Sequence, residues 1–201
     1  MSRRPFVLAT LVAALALLPL SIYKGAAAQD ASINSSSVEL AADKVIQFEL
    51  VQASDAIANC FPDAAATVKV FLTADEVGTD TFILKAKGLR PNTTFAVFLT
   101  ELPVAPFGAV QYLADLKTNP NGKGSVEVNA IIGEAFSSQV VNGQRDHVNL
   151  KHVVFWFADP ADASACFAPG AAPAPGPFDG DGASGPAAMS SKNALPGAPL
   201  P

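Results

Sequence analysis

Between residues 44 and 158 the chain is cut into short stretches of alternating apolar and polar side chains, most of them ending in a turn former. Period-two alternation puts successive side chains on opposite faces of a strand, so one face can be buried while the other stays wet. Residues 44–51 place Ile46, Phe48 and Leu50 on one face, and 67–73 set Val68, Val70 and Leu72 against Lys69 and Phe71. Residues 81–87 set Phe82, Leu84 and Ala86 against Ile83, Lys85 and Lys87, and 94–100, 110–116, 125–131 and 150–158 continue the series. About seven strands at this spacing predict an all-β fold, an antiparallel β-sandwich.

The punctuation agrees with that pattern. Gly88-Leu89-Arg90-Pro91-Asn92 joins a flexible glycine to a proline that fixes φ, the chemistry of a tight connection. Asn119-Pro120-Asn121-Gly122-Lys123-Gly124 contains Asn-Gly, a strong hairpin signal because both residues tolerate positive φ. Helical periodicity is nearly absent. One helical turn is predicted over 160–165, with Asp159 as N-cap and Pro160 at the first helical position.

The two ends differ from this middle. Arg3 and Arg4 precede an apolar run from Phe6 to Ile22, and Ala26-Ala27-Ala28 precedes Gln29. A basic start, an apolar centre and a small-residue exit predict an export signal over 1–28, cleaved after Ala28. Pro19 interrupts the run, which argues against a membrane anchor. Ser2-Arg3-Arg4-Pro5-Phe6-Val7 also fits a twin-arginine signal, and the general secretory route stays open beside it. Residues 29–43 are expected to be a flexible lead-in, 44–167 the folded domain, and 168–201 a disordered tail of Pro, Ala and Gly. The final destination, whether periplasm, cell wall or medium, is left open.

Loss of the signal removes Arg3, Arg4 and Lys24 and no acid. Thirteen basic residues less these three leaves ten, against 18 acidic ones, a formal charge of −8. A nucleic-acid partner needs a basic patch, and none is present. No membrane insertion is expected after signal cleavage.

Two cysteines, Cys60 and Cys166, in an exported chain predict one disulfide. Closing a loop of ~100 residues stabilises a fold by roughly 4–5 kcal/mol on a chain-entropy argument. Neither cysteine has a neighbouring histidine or a Cys-x-x-Cys partner, so a reactive thiol is the weaker reading.

Catalytic chemistry finds little support. His147 and His152 are the two histidines, and no Gly-x-Ser-x-Gly elbow accompanies them. His147 is expected to be solvated in a polar loop over 143–149, and His152 to be a hydrogen-bonded structural residue at a strand start. Asp146, His147 and His152 are too few and too loosely spaced for zinc. Asp179-Gly180-Asp181-Gly182 is a fragment of a calcium loop without its remaining ligands. No catalytic residue, metal site or cofactor is therefore assigned. The loop 102–108 is the one candidate binding element. Pro103 and Pro106 restrict it, Phe107 stands at its tip before Gly108, and Tyr112 follows. A rigid loop bearing an aromatic loses little entropy on binding. The competing expectation is that Phe107 folds inward and plugs the core beside Tyr112 and Trp156.

The order Cys60-Phe61-Pro62, Gly88-Leu89-Arg90-Pro91-Asn92-Thr93, Pro106-Phe107-Gly108, Tyr112, Asp115-Leu116-Lys117-Thr118, Gly122-Lys123-Gly124, His152 to Trp156 and Cys166 resembles a group of exported bacterial two-cysteine β-domain proteins of uncharacterised function. The resemblance implies an exported β-domain and carries no activity with it. The chain departs from that pattern at Gln111, where an aromatic is expected. The strand–Gly-Leu-x-Pro–strand rhythm also resembles copper–zinc superoxide dismutases, in architecture alone, because two histidines cannot supply their metal cluster. The expected sandwich is thus immunoglobulin-like or superoxide dismutase-like. The leading functional expectation is a non-enzymatic interaction module for an envelope or extracellular component. The alternatives are a small-ligand carrier with an apolar pocket at the Phe107 end, or an enzyme that uses the two histidines.

Overall fold

Inward-facing side chains of consecutive strands meet in one hydrophobic cluster. It is built from Val68 and Val70, Phe82 and Leu84, Phe95, Val97 and Leu99, and Val153, Phe155 and Phe157. The computed structural model describes residues 44–73, 78–168, 170–171, 175–192 and 199–201. The expected signal and lead-in lie outside the described residues.

Ten strands are present among the described residues: β1 (Lys44–Gln52), β2 (Ala65–Leu72), β3 (Asp80–Lys87), β4 (Thr94–Thr100), β5 (Val110–Lys117), β6 (Gly124–Ala130), β7 (Phe136–Val141), β8 (Gln144–Asn149), β9 (His152–Phe157) and β10 (Ala187–Ser190). Eight of them form one antiparallel sheet in the order β5-β4-β9-β10-β1-β2-β3-β6, and β7 and β8 form a separate ribbon. β1 pairs with β2 from Lys44 to Leu50, and its last residues, Val51 and Gln52, pair with Ser190 and Met189 of β10. The two edge strands, β5 and β6, are consecutive in the chain and meet at the Thr118–Gly124 bridge. The sheet therefore curls back on itself into a nearly closed barrel. The protein is mostly β and antiparallel with one disulfide, and the count of about seven strands is corrected to ten.

Each added strand has a physical reason for escaping the pattern. β7 and β8 are joined by Asn142 and Gly143, both at positive φ (52° and 80°), as a two-residue hairpin turn requires. Their side chains are mostly exposed, so no buried face imprints an alternation on the sequence. The expected polar loop over 143–149 is largely strand β8. β10 is four residues of Ala, Met and Ser set in a Pro- and Gly-rich stretch, yet Ala188 and Met189 are buried between β9 and β1. The expectation of a disordered tail from residue 168 is corrected for 175–192, where β10 pairs with β9 and β1. The Asn-Gly turn is not a simple hairpin. Asn119 Oδ1 accepts from the Asn121 and Lys123 amides at 2.9 and 3.1 Å, holding a corner between the two sheet edges.

Two short helices carry the disulfide. Helix α1 (Asp55–Cys60) is capped by Ser54, whose Oγ accepts from the Ile57 amide at 3.3 Å, and it anchors itself by burying Ile57. The 3-10 helix (Pro160–Cys166) has Asp159 as its cap, with Oδ1 accepting from the Ala161 amide at 2.8 Å, and Pro160 in its first turn. Cys60 and Cys166, the last residues of these helices, are bonded to one another across 106 residues.

Candidate functional site

β4 and β9 are apolar on both faces. Their outward residues Ala96, Phe98, Val154 and Trp156 form a second cluster, separate from the inner core. An outer sheet face this apolar needs a cover, and two segments supply it. The first is the loop 102–108. Leu102 N–H donates to Phe107 C=O at 3.0 Å, and Glu101 N–H donates to Ala109 C=O at 2.9 Å. Glu101 Oε2 accepts in turn from the Ala109 amide at 3.0 Å. The Ala105–Pro106 bond is cis, and Phe107 meets Trp156 edge-on with ring centroids 4.9 Å apart.

The second cover is the stretch 175–187. Gly176 N–H donates to Ser184 C=O at 2.7 Å, and Ser184 N–H donates to Pro177 C=O at 3.0 Å, which makes a narrow turn with Asp179–Gly182 at its tip. Gly185 N–H and Pro186 C=O then bond to Phe157 (2.7 and 3.2 Å), leading into β10. The Ser190 hydroxyl of β10 donates to Pro103 C=O and ties the two covers together.

A half-open cleft of about 600 Å³ lies between them. Trp156 and Val110 belong to the covered sheet face, Pro103 to Gly108 form one wall, and Pro175, Gly176, Pro177, Pro186 and Ala187 form the other. Ala53 and Ser54, at the junction of β1 and α1, close a third side. None of these lining residues is ionisable. Five are prolines, which have no N–H to offer.

Several of the remaining backbone groups are already paired within the protein. Ala53 N–H donates to Ala188 C=O, while Phe107, Pro177 and Pro186 C=O accept from Leu102, Ser184 and Phe157. Such a wall makes apolar contact and offers few polar groups, the usual character of a small-ligand site.

Of the residues expected at a binding loop, Pro103, Pro106, Phe107 and Gly108 line this cleft. Phe107 packs on the outer face of the sheet and is not a plug of the inner core. Tyr112 lies outside the cleft. It is 42% exposed, rests edge-on against Phe98, and donates its hydroxyl to Asp115 Oδ1 at 3.0 Å. Burial of the phenol, then the Asp115 bond and the charges of Asp115, Asp179 and Asp181, push its pKa up to about 12. Sequence reasoning missed Ala53, Ser54 and the whole 175–187 wall. The latter reads as low complexity, and Gly176 and Gly185 gave no signal of their packing against the sheet.

The histidines do not converge on one site. His152 is buried with Nδ1 3.1 Å from Ser191 Oγ, and burial lowers its pKa. His147 is exposed on β8, stacked on Phe136 at 4.5 Å and bonded to Asn149. Among the described residues no three His, Cys, Asp or Glu side chains converge to hold a metal. Asp179 Oδ1 accepts from the Gly182 amide at 3.3 Å, closing the turn at the cover's tip.

No family model matches the chain, and no curated protein or solved structure is found to be similar to it.

Proposed function

We propose that this protein is an exported, non-enzymatic binding module that holds a small apolar ligand in the cleft between the loop 102–108 and the stretch 175–187. The observation that carries the reading is the cleft itself: about 600 Å³, floored by Trp156, walled by Phe107 and prolines, with no ionisable side chain in its lining. Its volume falls within the usual range of ligand pockets, and walls tied by hydrogen bonds lose little entropy on binding. Export is part of the proposal. It rests on the signal-like residues 1–28 and on a disulfide that an oxidising compartment would preserve. So is the finer description of the curled sheet as a sandwich, with β1, β2, β3 and β6 as one layer and β10, β9, β4 and β5 as the other. The likeness to exported two-cysteine β-domain proteins belongs with it.

Trp156 is the single tryptophan, so its emission reports on this site alone. A neutral probe, N-phenyl-1-naphthylamine, titrated into the disulfide-intact protein should bind saturably and quench Trp156 by energy transfer. Ala105→Phe, which puts a ring into the cleft from an exposed loop position, should weaken binding about tenfold. Absence of saturable binding, or affinity unchanged by Ala105→Phe, would rule the reading out.

A further inference from the structure

Three consecutive side chains after Met189 fasten three different parts of the structure around the cleft. Ser190 Oγ donates to Pro103 C=O in the loop 102–108. Ser191 Oγ accepts from Val153 N–H of β9 at 3.1 Å and lies 3.1 Å from His152 Nδ1. Lys192 Nζ donates to Ala53 C=O at 3.1 Å, and its N–H donates to Ser190 Oγ at 3.2 Å. Ser191 N–H adds a backbone bond to Val153 C=O at 3.0 Å. The 175–187 cover runs through β10 straight into these residues, so they hold both walls and the Ala53 side in place.

The middle tie depends on the state of one ring. Val153 N–H occupies one lone pair of Ser191 Oγ, and among the described residues the hydroxyl proton has no acceptor but His152 Nδ1. The hydroxyl therefore donates to Nδ1, and the ring carries its own proton on Nε2. A second proton, added at Nδ1, turns that acceptor into a donor. Ser191, 1% exposed, must then turn its hydroxyl away with no acceptor, and the new charge sits on a residue 8% exposed. Both changes are unfavourable in a buried place. The neighbours do nothing to offset them. Thr100, opposite His152 on β4, gives its hydroxyl to Leu102 C=O. Glu101, next in the chain, accepts from Ala109 N–H and Gln139 Nε2, while Lys151 and Lys192 are themselves cations. Residues 199–201 approach through the Leu200 N–H bond to Lys151 C=O and bring no ionisable side chain. Among the described residues no carboxylate pairs with His152, and burial alone lowers its pKa.

We propose that residues 190–192 are a proton-operated latch: uptake of a proton at His152 frees Ser191, lets the two covers part and releases the ligand. The latch stands on these bonds, and release of a ligand rests on the cleft being a binding site.

Amide hydrogen exchange of the ligand-free protein tests the latch. From pH 7.5 to 5.5, after correction for intrinsic rates, protection of the Ser191 and Gly185 amides should fall by up to about tenfold. That is the factor by which protonation of a freed histidine of ordinary pKa favours the open form. Both amides should stay less protected than those of β2, which marks an opening short of unfolding. His152→Asn should abolish the fall, and His147→Asn should keep it. Ser191 protection equal to that of β2 at both pH values, or a fall unchanged in His152→Asn, would overturn the latch. Dissociation of bound N-phenyl-1-naphthylamine reads the second half, and should quicken by a similar factor at pH 5.5 in the native protein and not in His152→Asn. If Ser191 protection falls while dissociation does not quicken, the latch stands and its control of the cleft is overturned. If the probe does not bind at pH 7.5, the ligand reading falls and the exchange result alone decides the latch.

Discussion

Gly176 lies so close against the indole of Trp156 that a Cβ on the glycine would sit 2.5 Å from Trp156 Cδ1. The same carbon would come within 2.6 Å of Ser184 Oγ and 2.7 Å of Gly185 C=O, so it is hemmed in by the segment's own turn as well as by the sheet. Gly176→Ala is therefore an overpacking change. It should cost about 1–3 kcal/mol in denaturant unfolding and, by lifting the wall off the ring, shift Trp156 emission to the red. An unchanged midpoint and spectrum would mean that this contact is not maintained in solution.

A carboxylate organises the far end of β3. Asp80 is buried, its Oδ1 accepting from the Thr73 amide at 3.0 Å and its Oδ2 from the Ile132 and Gly133 amides at 2.9 and 2.7 Å. Asp80→Asn replaces one accepting oxygen with an NH2 donor and sets it against backbone N–H. Leaving a buried donor unpaired costs about 1–3 kcal/mol, so the urea midpoint should fall by that equivalent. Asp80→Ala, which orphans all three amides, should cost more. Equal stability of wild type and Asp80→Asn would contradict this role.

His152 makes stability depend on pH in a calculable direction. Burial lowers its pKa from 6.5 in the folded state, so below that value the unfolded chain binds a proton that the folded chain resists. Stability should be at its full value above about pH 6.5 and should fall as pH drops below it toward the lowered folded pKa. His152→Asn, able to keep a bond to Ser191, should flatten this part of the profile. Denaturant titrations of both proteins at pH 7.5 and 5.5 test it. An identical pH dependence in the two would assign the loss to other groups.

The inner core was legible because burial on one face leaves a period of two. Ile46, Phe48 and Leu50 and the Val68 to Leu72 and Phe82 to Ala86 sets face inward as alternation predicts. The cleft was legible by half. Proline spacing and Phe107 marked one wall, since a restricted aromatic loop is visible in sequence. The other wall was not, because its stability is borrowed. Gly176, Pro177 and Gly185 bury little of their own and are held by backbone bonds to Phe157 and within the turn. Composition measures what a segment can bury, and is blind to what a finished sheet can hold in place. β7 and β8 escaped for a related reason, since Phe136, Val140, Arg145 and His147 all face solvent.

The disulfide closes 106 residues and links α1 to the 3-10 helix. Cys60→Ala with Cys166→Ala should lower stability by about 2–5 kcal/mol while leaving the β-sheet circular dichroism in place, and intact mass of the native protein should lie about two daltons below the reduced value. A double variant as stable as the native protein would show that the bridge contributes nothing.

The sharpest test concerns the C-terminal stretch, for which sequence and structure call for opposite outcomes. If residues beyond 167 were a spacer, truncation there would leave an intact domain. In the structure that cut removes β10 from the middle of the eight-stranded sheet and leaves β9 and β1, its neighbours on either side, without their partner. Met189, wholly buried in the core, would go with it, as would the Ser191 hydroxyl that accepts from Val153 N–H. Deleting one buried methionine side chain costs about 2–5 kcal/mol, a large part of the stability of a typical domain, before the lost strand pairing is counted. The exposed edges of β9 and β1 would also offer unpaired N–H and C=O groups for intermolecular pairing. A chain ending at residue 167 should therefore aggregate or unfold, and Met189→Ala in the full chain should be markedly destabilised but soluble. A truncated protein with the native unfolding midpoint would detach β10 from the fold, and the second wall of the cleft with it.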